Sequence, residues 1–247
     1  MSAATNRSDT PTSDADGTGG KRVAVVLCGC GRADGSEIHE SVSVLIALAQ
    51  HGATYRCFAP DRNQAEVVNH LTGEVVPNER RNCLVEAARI ARGAISPLSE
   101  LRESEFDAVI FPGGFGAAKN LCTFAKQGAQ MSVSDDVAAV IRGFHNAGKA
   151  VGLVCIAPVM GAKVLGTNNG GPGCEVTIGI EQGPGGKGGV SAAIESWGSV
   201  SVPKRVEEAH VDTKRKVYSA PAYMDDGATP AQVFAGISAM VKAMLGK

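Results

Sequence analysis

The chain has 247 residues, of which 44% are hydrophobic and 20% charged, and its formal net charge is -1. That length supports a full core in one α/β unit. The near-neutral balance excludes a nucleic-acid footprint, and no apolar run reaches the length of a membrane span.

Residues 1–20 are polar and rich in Ser, Thr, Asp and Gly, the composition of a disordered tail. The folded unit is expected over residues 21–247. Asp9, Asp14 and Asp16 beside a single Arg make the tail a poor transit peptide. The seven cysteines are irregularly spaced and follow no signal peptide. They read as reduced thiols of an intracellular protein, with the cytoplasm preferred and the mitochondrion left open. Cys28-Gly-Cys30 lacks a second close pair to complete four metal ligands, so no metal is expected.

Arg22–Leu27 reads as a first buried strand, followed by the tight loop Cys28–Gly31. A helix is expected from Ser36 to His51, capped by Ser36, with Glu37 and Glu40 in its first turns. Ile38, Val42, Leu45, Ile46 and Ala49 form its expected inward stripe. Thr54–Phe58 is a second strand. Asp61–Glu79 reads as turn with a short hairpin around Thr72-Gly73, and Asn82–Arg92 as a helix. Phe106–Phe111 is a strand ending in the loop Pro112-Gly-Gly-Phe-Gly116. Asp135–Asn146 is an amphipathic helix with Val137, Val140, Ile141 and Phe144 inward.

The segment Ala150–Leu165 carries the sharpest signal. Val151–Val154 is a buried strand, Cys155 sits on the turn, and Pro158 stands where a first helical turn tolerates it. That is a strand–turn–helix elbow built with Cys, where the helix amino end favours thiolate. A buried structural cysteine is the competing reading. Beyond it, glycine-rich loops at 168–173 and 183–189 flank a short strand, Glu175–Ile180. Lys187 lies in a glycine run, but Gly188 stands where a phosphate loop needs Ser or Thr. Lys216–Ser219 is a late strand. Pro230–Leu245 is a closing helix with Val233, Ile237, Val241 and Met244 on one face.

About five parallel strands alternating with helices give a flavodoxin-like α/β/α sandwich. In such sheets ligands collect beyond the carboxyl ends of the strands, where the loops 28–40, 112–116 and 155–158 converge.

The stretches Gly35–Glu40, Asn69–Glu74, Ala88–Gly93, Phe111–Leu121, Cys155–Pro158 and Glu208–Asp212 carry a resemblance. The chain resembles the ElbB-type proteins, amidotransferase-like members of the PfpI-like, class I glutamine amidotransferase-like superfamily. Glu208–Asp212 and Pro221–Met224 look like the eukaryotic branch. The resemblance implies Cys155 as nucleophile and Glu40, twelve residues before Gly52, as its acidic partner. Glu37 is the rival acid, with helix capping as its other role. Backbone N–H groups around Gly113, Gly114 and Ile156 are the implied oxyanion donors. Further implied are a cofactor-free, metal-free glyoxalase activity on glyoxal or methylglyoxal, and a homodimer. Glu40 would then need a raised pKa to donate as well as accept near neutrality.

Several positions depart from relatives. Ile156 follows the Cys where PfpI-type proteases carry His, which weakens a peptidase reading. Glu175 stands where the deglycase relatives carry His. His210-Val-Asp212 imitates the late His-x-Glu of glutamine amidotransferases, but it precedes the charged turn Thr213–Lys216, so a hairpin residue is favoured. His39 is expected at the pocket rim. Lys119-Asn120 could meet an anionic substrate or cap the helix after the glycine loop. The competing functions are a redox or stress-response protein with vestigial catalysis, and an amidotransferase-like accessory subunit.

Overall fold

The structure is a computed structural model that describes residues 20–180 and 189–247. Nearly all of the expected tail and the glycine run around Lys187 lie outside the described residues. The elements run β1 (Arg22–Val26), α1 (Ile38–Gln50), β2 (Thr54–Ala59), β3 (Val68–Asn69), β4 (Glu74–Val75), α2 (Cys83–Ile90) and β5 (Ile95–Pro97). Then follow β6 (Ala108–Phe111), α3 (Phe124–Gln127), α4 (Asp135–Asn146), β7 (Ala150–Val154) and α5 (Pro158–Leu165). The chain closes with β8 (Glu175–Val176), α6 (Gly189–Ser196), β9 (Val200–Ser201), β10 (His210–Asp212), β11 (Val217–Ala220) and α7 (Pro230–Leu245).

The main sheet has seven strands in the order β10-β11-β7-β6-β1-β2-β5, all parallel except β10. Its middle is the flavodoxin-like order, with the reversal of direction between β1 and β6. Alternation within β1 fills both faces. Val23 and Val25 pack with α1, α2 and α7; Ala24 and Val26 pack with α4, α5 and α6. Strands buried on both sides read as the unbroken apolar runs seen in the sequence.

The hairpin around Thr72-Gly73 is present as β3–β4, and β10 turns into β11 through Thr213–Lys216. The α7 face is as expected. Asn82 caps α2 by accepting from the N–H groups of Leu84 and Val85. Several expectations change. The strand expected over 175–180 shortens to β8, which pairs with β9 outside the main sheet. His145, expected as a solvated helix end, has its Nδ1 buried without a hydrogen-bond partner.

The largest change is on α1. Its buried face is Glu40, Ser41, Ser43, Val44, Ala47 and Leu48. Ile38, Val42 and Ile46 face outward, 44%, 39% and 44% exposed. The helix is rotated because Glu40 is drawn under the sheet edge, and small residues beside it allow close packing on α7. Nor does Ser36 cap α1. Glu37 does, accepting from the N–H of Glu40, while the Ser36 hydroxyl accepts from the N–H of Cys28.

The loops at the carboxyl edge pack backbone on backbone. A Cβ on Gly116 would lie 2.3 Å from Gly35 Cα, whereas one on Gly152 meets chiefly the flexible Met244 side chain, 2.7 Å from its sulfur. Gly116→Ala should therefore destabilise the fold by about 3 kcal/mol or more and Gly152→Ala by about half that or less. Urea denaturation of the two variants checks the order, and equal losses would contradict it.

Candidate active site

The site lies beyond the carboxyl ends of β1, β6 and β7, over the point where strand order reverses. Three loops build it, and main-chain hydrogen bonds lock two of them together. Glu37 N–H donates to Gly113 O at 3.0 Å, Gly116 N–H to Gly35 O at 3.0 Å, and Phe115 N–H to Arg32 O at 2.7 Å. Asn120 ties the same loops from behind. Its amide donates to Cys28 O and Asp34 O and accepts from the N–H of Ala65. Asn120, expected as a pocket candidate, is therefore a brace outside the cavity. Lys119 is paired with Glu66 rather than facing the cavity.

Cys155 follows β7 directly and adopts φ of +60°, a left-handed conformation that is costly for a residue with a side chain. Its N–H donates to Ala220 O at 2.9 Å, and Pro158 opens α5 three residues later. The turn points the sulfur into a cavity of about 350 Å³. Cys155 is 7% exposed, so it is reached only through that cavity. The backbone thus has the strand–turn–helix geometry expected of an elbow, and Cys155 lines a cavity.

Glu40 is fully buried and lies beside Cys155, the two groups perturbing each other's titration. One carboxylate oxygen accepts from Gly113 N–H at 3.0 Å and the other from Tyr223 N–H at 3.3 Å. This changes the role expected of Gly113. Its N–H is taken by Glu40, so it is no oxyanion donor. The N–H groups of Gly114 and Ile156 instead lie near enough to Cys155 to favour its charged form. They are the pair available to a negative charge developing on an atom bonded to Cys155.

Electrostatics follow from burial. Loss of water, and then the nearby charge of Glu37, push the Glu40 carboxyl up to about 8. Burial and the Glu40 charge also push the Cys155 thiol well above its ordinary value. The thiolate favoured by the sequence reading is therefore not the resting state. The raised carboxyl, by contrast, is what a proton carrier near neutrality requires.

The remaining candidates divide. Glu37 lines the cavity while capping α1. His39, expected at the rim, does not line the cavity; its Nδ1 lies 2.8 Å from the hydroxyl of Tyr223, which does. His210 is held away on the edge strand β10, 3.2 Å from Glu175, and does not line the cavity. The hairpin reading of that residue is the correct one. Tyr223 went unnoticed as a site residue. Its position just past the carboxyl end of β11, where ligands collect, was the available signal.

No family model matches the chain. It is 49% identical over 227 residues to human glutamine amidotransferase-like class 1 domain-containing protein 3, mitochondrial, covering 91% of this chain and 82% of that protein. The rat ES1 protein homolog, mitochondrial, is 48% identical over 227 residues, covering 91% of this chain and 83% of the relative. The chain belongs to the ES1/ElbB-type family of class I glutamine amidotransferase-like proteins. A family structure, the isoprenoid biosynthesis protein with amidotransferase-like domain from Ehrlichia chaffeensis, superposes with a TM-score of 0.82 at 35% identity, covering 92% of this chain and 98% of that one. Drosophila melanogaster DJ-1beta, at 16% identity and a TM-score of 0.53 over 92% of each chain, shares the fold of this ES1-type protein.

The raised Glu40 pKa has a consequence for stability. A carboxyl that titrates higher in the folded state stabilises fully below its unfolded value, and that contribution is lost as pH rises through about 8. Glu40→Gln has no such proton to lose. Its stability relative to wild type should climb between pH 5 and pH 9 by a few kcal/mol. Urea unfolding at several pH values reads the difference, and parallel curves would refute it.

Proposed function

We propose that this ES1-type protein is a cofactor-independent glyoxalase acting on glyoxal or methylglyoxal. The observation that carries the reading is one buried contact. Cys155 sits on a strained elbow against a carboxyl that titrates near 8, with two N–H groups near enough to favour its charged form.

The chemistry needs only these groups. Glu40 as carboxylate takes the thiol proton while sulfur attacks the aldehyde carbon. The S–C bond forms, the carbonyl oxygen becomes hydroxyl, and a hemithioacetal results. Glu40 then moves the proton on that carbon to the neighbouring carbonyl carbon through an enediol. The product is a thioester of a 2-hydroxy acid. Water hydrolyses it, releasing glycolate or lactate and restoring the thiol. The N–H groups of Gly114 and Ile156 stabilise the oxyanion of each addition step. No oxidant or metal enters the balance.

The purified protein should form lactate from methylglyoxal. Cys155→Ala should abolish it, and Glu40→Gln should lower it at least a hundredfold. Because the carboxylate is the active form, kcat/KM should rise with pH and level off above about 8. A profile already flat from pH 6, or lactate from Cys155→Ala, would overturn the assignment.

We further propose a mitochondrial location and a homodimer. The human and rat relatives are both named mitochondrial, which favours that compartment over the cytoplasm. The dimer is favoured by the outward apolar stripe Ile38, Val42 and Ile46 on α1. Val42→Lys should convert a dimer to a monomer in sedimentation velocity; an unchanged mass would place any interface elsewhere.

A further inference from the structure

The cavity above Cys155 is larger and less polar than a two- or three-carbon aldehyde needs. At about 350 Å³ it falls in the range that encloses a drug-sized ligand. Its polar groups are concentrated at the floor, at Cys155, Glu40 and Glu37. Its wall is apolar, formed by Phe115, Phe124, Ile156 and Met224 beside the Tyr223 ring. Among the described residues that line the cavity, Arg32 on the rim is the one cation, and it is already paired with Asp226 at 3.2 Å. Phe115 is 53% exposed at the entrance, a large apolar side chain left in water. Met224 also borders a second cavity of about 220 Å³, whose lining includes Lys204, Arg205, Glu207 and Asp225, so the apolar wall belongs to the first chamber alone.

Resting on the glyoxalase reading, we propose that the natural substrate is a 2-oxoaldehyde whose second carbonyl bears an extended apolar group, seated along Phe115, Phe124 and Met224. The aldehyde carbon bonds to Cys155 at the polar floor and the tail leaves water along the wall. The S–H adds across the aldehyde C=O, with the proton ending on oxygen. Each buried methylene then adds affinity at no cost to the chemistry.

Unbranched alkanals from ethanal to hexanal test this apart from turnover. They lack the second carbonyl and stop at the hemithioacetal. Titration calorimetry should show Kd falling about fourfold per added methylene, and Cys155→Ala should lose most of the affinity. Met224→Gln should flatten the gradient. Phe115→Ser, at a half-exposed position, should flatten it too. Equal Kd values across the series, no binding by any alkanal, or a gradient untouched by both variants overturns the proposal. The two readings fail separately. Lactate formation without a chain-length gradient sinks only the apolar tail. A gradient without lactate formation sinks the glyoxalase assignment and keeps an apolar aldehyde as the ligand.

Discussion

The site exists because Gly113 has no side chain. A Cβ there would sit 2.5 Å from Cys155 Cβ, 2.8 Å from Glu40 Oε2 and 2.8 Å from Val154 O. No real Cβ tolerates such contacts. The bare backbone lets the carboxyl ends of β6 and β7 and the start of α1 meet at one point, and it supplies the N–H that fixes the Glu40 carboxylate. Gly114, at φ of +99°, then turns the chain so that its own N–H lies near Cys155. Two adjacent glycines thus perform different tasks, one gripping the acid and the other placed beside Cys155.

Around that point the protein holds protons rather than charges. Glu40 and Cys155 are both shielded from water, which raises both pKa values; the Glu40 charge further holds the thiol protonated, whereas the thiol eases ionisation of Glu40. Glu37 adds to this from the α1 cap, where it accepts from the N–H of Glu40 at 2.6 Å. The acid is placed by backbone groups on both its oxygens and by its own N–H, so it has little freedom to reorient. A resting neutral thiol limits stray alkylation and oxidation, since thiolate is the reactive form.

Much of this was legible in the chain itself. Cys155 stood out because an apolar strand stops at it and Pro158 starts a helix just beyond. The parallel, helix-covered sheet follows from strand runs that bury both faces. The orientation of α1 was hidden, because Ile38, Val42 and Ile46 are its most apolar stripe and yet face outward. A sequence pattern assigns apolar residues to the core and has no means of knowing that Glu40 is pulled inward by two N–H groups from distant segments. The direction of the Cys155 shift was hidden for the same reason. A helix amino end argues for thiolate, but the depth of burial and the Glu40 charge, which outweigh it, come from residues far apart in the chain. Tyr223 escaped because its main chain, not its side chain, touches the acid.

The margins of the main sheet carry a separate consequence. Each outermost strand, β5 and β10, is three residues long. β5 also ends in Pro97, which has no N–H to offer a neighbour. A parallel sheet with strands as apolar as these would otherwise present a ladder on which foreign chains could polymerise. With one border clipped by an imino acid and the other a brief antiparallel turn-back, the architecture guards itself against fibrillar growth.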